Sequence, residues 1–96
     1  MNQPSARPAI EAALRNPNLM AAAIALSENR LEDAEPILRG HLREAPTDVA
    51  AIRMMAELAA RVGRLKDSEA LLRRALELTP DFGAARANLA TILYKQ

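Results

Sequence analysis

The chain has 96 residues, with 13 Lys and Arg against 12 Asp and Glu, one His, no Cys and a formal net charge of +1. That length allows one small domain, and the balanced, interspersed charge argues against a nucleic-acid or anionic-membrane surface, which needs clustered cations. The missing thiols exclude disulfides and iron–sulfur chemistry, and the lone His41 argues against a His-based metal site.

Half of the residues are apolar, but they are mostly Ala and Leu, with Phe82 and Tyr94 as the two aromatics. Such a composition reads as all-helical. No stretch approaches about 18 uninterrupted apolar residues, so no transmembrane helix is expected. Residues 1–7 lack the apolar run of a signal peptide, and a cytoplasmic chain is the default expectation.

Residues 1–7 are polar, and Pro8 can sit in the first turn of a short lead-in helix over about 8–15, carrying Ile10, Ala13 and Leu14. Asn16-Pro17 reads as an N-cap followed by the first helical residue of a helix to about Glu28. Asn29 stops it, since Asn tolerates the left-handed conformation that follows a helix. Asp33 is expected to cap the next helix, to about Glu44. That would place Pro36 in the first turn, where amides have no intrahelical partner and proline is cheap. Gly40 inside this helix reads as mere tolerance or as close approach of a neighbouring backbone. Thr47 or Asp48 caps a third helix over about 48–62, closed by Gly63. Asp67 or a neighbour begins a fourth over about 66–78, which Pro80 ends. Asp81 is expected to cap a fifth, from about 82 to Gln96. Connections this short make consecutive helices antiparallel neighbours.

Residues 30–46 return, displaced by 34, as residues 64–80. Arg30, Leu31, Asp33, Glu35, Leu38, Arg39, Leu42 and Pro46 meet identical residues at Arg64, Leu65, Asp67, Glu69, Leu72, Arg73, Leu76 and Pro80. Ala22, Ala56 and Ala90 recur at the same period, as do the stops Asn29 and Gly63. A fixed period of this size is the mark of a stacked repeat array. It divides the chain into a tail with lead-in helix (1–14), a first unit (15–48), a second unit (49–82) and a half unit (83–96).

A helix–turn–helix unit of this period, closed by proline, resembles the tetratricopeptide repeat. Ile52, Met55, Ala56 and Ala59 fall at the spacing of that family's first-helix signature, and Ser68, Leu72, Ala75 and Pro80 at its second. Asn18, Ala21, Ala22 and Ala25, then Ala34, Leu38, His41 and Pro46, hold these places in the first unit; Arg86, Leu89, Ala90 and Leu93 hold them in the third. The family's bulky aromatics are mostly absent. The resemblance implies an all-α, right-handed superhelical array of antiparallel helix pairs, about five to six helices in all. The stretch from Leu31 to Gln96 is also similar to the repeat region ahead of the catalytic domain in bacterial tetratricopeptide-containing sulfotransferases. No strand pattern or Gly-rich phosphate cradle accompanies it here.

The resemblance implies a protein or peptide partner on a concave face lined by the first helix of each unit. Helical spacing then selects Leu19, Met20, Ala23 and Leu26 from the first unit; Arg53, Met54, Glu57 and Arg61 from the second; and Asn88, Thr91, Tyr94 and Lys95 from the third. Arg53 and Glu57, four apart, can pair with each other. The carboxylate clamp that some repeat domains use on chaperone tails does not fit, because Glu57 stands where its Asn should be. No catalytic residue, cofactor or metal is expected in the chain itself, and His41 reads as a packing histidine. On the half unit, Ala85, Leu89 and Ile92 are expected to face water. They would be covered by a continuation of the chain or by a second copy in a homodimer.

Overall fold

The computed structural model describes residues 15–96 together with Arg7, Pro8 and Glu11. Ile10, Ala13 and Leu14 of the expected lead-in helix lie outside the described residues. From Pro17 onward the chain forms α1 (Pro17–Ser27), α2 (Leu31–Glu44), α3 (Val49–Arg61), α4 (Leu65–Leu78) and α5 (Gly83–Lys95). The described residues contain no strand.

The helix boundaries follow from local chemistry. Asn16 Oδ1 accepts from the amides of Asn18 at 2.9 Å and Leu19 at 3.3 Å, with Pro17 as the first helical residue. Asn29 sits at φ 57° and Gly63 at φ 84°. The two stops are closed alike: Arg30 N–H donates to Ala25 O at 2.7 Å, and Arg64 N–H to Ala59 O at 2.8 Å. These bonds satisfy carbonyls that the helix end leaves open. Asp48 caps α3, its Oδ1 accepting from the amides of Ala50 and Ala51.

Two expected caps, Asp33 and Asp81, are corrected. After each left-handed stop the chain re-enters a helix at once, so α2 begins at Leu31 rather than at an Asp33 cap. The Arg30 carbonyl accepts from the amides of Asp33 and Ala34, both at 3.2 Å. Asp33 is then the third helical residue, ion-paired to Arg30 at 2.7 Å. Pro36 becomes the sixth, beyond the first turn, and denies the Glu32 carbonyl its ladder donor. Likewise α4 begins at Leu65 behind Arg64, without a side-chain cap. In α5 the cap position falls to Phe82, not Asp81. The Phe82 ring is buried in the core, and that burial, rather than a polar cap, sets where the helix starts. Gly40 has nothing within 4 Å of where a Cβ would stand, which leaves tolerance rather than close approach.

Each helix packs on the next, and α3 also touches both α1 and α5, while α2 and α4 do not meet. The core is therefore two clusters that share α3. Leu19, Ala22 and Leu26 of α1 meet Ala34 and Leu38 of α2 and Ala51 and Leu58 of α3. Ile52 and Ala56 of α3 meet Leu72 and Ala75 of α4, Phe82, and Ala85 and Ile92 of α5. Leu42 touches both clusters. The small residues at Ala22 and Ala56, wholly buried, allow the close approach of each unit's two helices. This is a helical repeat array.

Candidate functional site

The first helices α1, α3 and α5 lie side by side, held by two long side chains of α3. At one end Arg53 Nη1–H donates to Asn88 Oδ1 on α5 at 3.0 Å. At the other, Arg61 Nη1–H donates to the Leu26 carbonyl in the last turn of α1, and its Nη2–H to Glu57. A helix's last carbonyls are open acceptors, which makes Leu26 O a natural target for a guanidinium. Both links between helices join residues 35 positions apart. One period plus one residue is thus the offset at which adjacent first helices meet.

A hollow of about 220 Å³ opens between α3 and α5. Ala56, Ala60, Leu72 and Ile92 form its apolar floor, and Glu57, Arg61, Asn88, Thr91 and Lys95 its polar rim. Glu57 is engaged by Arg61 and lies 3.9 Å from Arg53. Lys95 forms no ion pair with the described residues, leaving one cation of the rim open to a ligand. The site combines directed donors with an apolar floor, which suits contact with a peptide.

A larger hollow, about 500 Å³, lies where α2 and α4 diverge, over Met55, Leu58 and Val62. Its guanidinium groups are consumed locally, Arg39 by Glu35 at 3.0 Å and Arg64 by Asp67 at 2.6 Å. None of these links bridges two helices. The smaller hollow is therefore the better candidate site, despite its size.

No family model, curated protein or solved structure matches the chain.

The residues selected by helical spacing separate into three groups. Glu57, Arg61, Asn88, Thr91 and Lys95 line the hollow, and Arg53 buttresses it through Asn88. Ala23 and Met54 are half-buried, Met54 against the first cluster. Met20 is exposed on α1, and Tyr94, 91% exposed, stands in solvent and lines none of the hollow. Leu19 and Leu26 are corrected: both are buried core residues, pinned between α1 and its neighbours α2 and α3, and offer no binding surface. Ala85 and Ile92 are corrected too. They do not face water but lie in the second cluster, because α4 already covers that side of α5, and Leu89 is half-buried at its edge.

Sequence spacing finds the Arg53–Glu57 pair, which is long at 3.9 Å because Arg61 engages the carboxylate more closely, but not the links between helices, which depend on how α3 lies against its neighbours. Two further ties were equally hidden. His41, its side chain 12% exposed, donates Nε2–H to Asp48 Oδ2 at 2.7 Å and so couples the end of α2 to the cap of α3. Gln96 Nε2–H donates to Glu69 Oε1 at 2.6 Å, and Arg73 Nε–H to Oε2 at 2.9 Å. These two bonds, that of Gln96 foremost, hold the Glu69 carboxyl below its usual range. The Gln96 bond also ties the end of α5 to α4. Among the described residues no group of carboxylates and His is placed to hold a metal ion, and no helix is long and apolar enough to cross a membrane.

Proposed function

We propose that the chain is a tetratricopeptide-type interaction module. It binds an extended peptide segment, or a segment of a neighbouring domain, along the face formed by α1, α3 and α5. The observation that carries this reading is the hollow between α3 and α5, whose polar rim is drawn from two helices of successive units over an apolar floor. Recognition there works by shape and contact. The floor accepts an apolar side chain, while Lys95 and the already oriented Arg61 donate to a peptide carbonyl or a carboxylate, and the Thr91 hydroxyl, which donates to the Ala87 carbonyl at 3.2 Å, accepts from a peptide N–H. Arg53 and Arg61, fixed to neighbouring helices, hold the rim in place before a ligand arrives, which lowers the ordering cost of binding.

The test is selection of a displayed random 12-residue peptide library of about 10⁹ clones on the full chain. Clones that bind should lose at least about tenfold in affinity on a Thr91→Arg, Lys95→Glu double variant. Both positions are exposed on α5, so the fold should survive the change. Enriched peptides that bind the double variant as well as they bind the parent would place recognition elsewhere and sink the reading.

A further inference from the structure

The internal repeat identifies one surface of this chain by comparison with two others. On α1, Ala22 and Ala25 are buried, at 0% and 1% exposure, where α2 brings Ala34 and Leu38 against them. One period later, Ala56 and Ala59 of α3 are buried at 1% and 7%. There α4 presents Ser68 and Leu72, and Ser68 Oγ–H donates to Ala56 O at 2.8 Å. A further period brings Ala90 and Leu93 of α5. Ala90 is exposed and Leu93 is 45% exposed. Leu89 beside them packs on the edge of the second cluster, so this face continues an interface the fold already uses.

We infer that the face of α5 carrying Leu89, Ala90 and Leu93 docks an amphipathic helix of the α2 and α4 kind, lying antiparallel to α5. Its recognition stripe is a small residue followed four positions on by Leu, as in Ala34–Leu38 and Ser68–Leu72. The small residue meets Ala90, allowing the two backbones to approach, and the Leu covers the apolar ground beside Leu93.

The described residues of a second copy do not supply this occupant. Its own stripes, Ala34 and Leu38, Ser68 and Leu72, are all at most 1% exposed. Apart from Val62 beyond the end of α3, its exposed large apolar residues elsewhere are Met20 and Ile24 on α1, one period before Met54 and Leu58, which pack in the first cluster with α1 and α2. That surface too is of the receiving kind. Two receiving faces are alike rather than complementary, so the occupant is an amphipathic helix of a different protein. The docking face is separate from the hollow between α3 and α5, and the inference stands independently of what binds there.

The probe is a synthetic peptide with the sequence of residues 64–80, titrated into the isotope-labelled full chain and followed by amide chemical shifts. Saturable shifts centred on residues 86–96 are expected. Ala90→Glu in the full chain should weaken the peptide at least about tenfold without lowering the melting temperature, since the position is exposed. A peptide carrying Leu72→Asp should not bind. The inference is overturned by an absence of shifts at about 1 mM peptide, by equal binding to Ala90→Glu, or by shifts centred on α3, which would mean the peptide displaces α4. It is also overturned if the chain alone forms a dimer that Ala90→Glu abolishes, because the occupant would then be a second copy.

Discussion

At the scale of single residues, the two stops Asn29 and Gly63 show how one backbone requirement is met by two side chains. Both positions are left-handed, at φ 57° and 84°, and both are followed by the same bond back to an Ala carbonyl. An added Cβ at Gly63 would meet no atom within 4 Å, so the cost of Gly63→Ala is conformational alone. Gly63→Ala should lower stability by about 1–2 kcal/mol, read as a lower urea midpoint at unchanged slope. Asn29→Ala should fall in the same direction, and Asn29→Gly should not. An unaltered midpoint in Gly63→Ala would mean the stop is imposed by packing rather than by backbone preference. Asn after a helix and Gly one period later are visible in the sequence because the left-handed region admits so few residue types. Ser68 is the opposite case. Its place is taken by Ala34 in the first unit, and nothing in the pattern signals that its hydroxyl would reach Ala56 O.

At the scale of elements, α2 is the least regular helix in the chain. Pro36 stands beyond its first turn and Gly40 follows four residues on. The same two places in α4 hold Ala70 and Arg74, both exposed and both ordinary helix formers. The second unit therefore shows what the first tolerates. Pro36→Ala restores a donor for the Glu32 carbonyl and should raise stability by about 1–3 kcal/mol. Gly40→Ala should add about 0.5–1 kcal/mol, because nothing near it obstructs a Cβ. Denaturant titration of each single variant checks both, and a loss of stability in Pro36→Ala would show that the proline is matched to its surroundings. The span of α2 was legible, but its start was not. Asp33 looks like a cap by residue type, yet the bond from Arg30 N–H to Ala25 O and the helix opening at Leu31 use the same residue to close α1 and begin α2. Such a shared corner has no separate residue signal.

At the scale of the whole molecule, stability rests on two apolar clusters joined through α3 and Leu42. Stacked units of this kind share their interfaces, so damage to one cluster should be felt in the other. Phe82 is the largest wholly buried side chain. Phe82→Ala should cost about 3–5 kcal/mol, a large part of the roughly 5–15 kcal/mol that holds a small domain together. Amide hydrogen exchange should report lost protection in α1 and α2 as well as in α4 and α5. Protection kept in α1 and α2 alone would show that the two clusters unfold separately.

The sequence by itself determined the helical content, the period, the stops, and the small residues where paired helices close on each other. These depend on backbone geometry and on size, which are properties of single residues and short spacings. Only the tertiary structure decided which apolar residues were surface and which were core. Helical spacing places Leu19 and Leu26 on the same helix as Met20, and Ala85 and Ile92 on the same helix as Leu93, but each helix here has neighbours on several sides. The register and lean of α3 against α1 and α5 settle which side is covered, and the same contact sets the reach of Arg53 to Asn88 and of Arg61 to Leu26. Alanine sharpens the difference. It suits a helix equally well in water and in a core, so Ala22, Ala56 and Ala90 read alike until the packing buries two of them and leaves the third exposed.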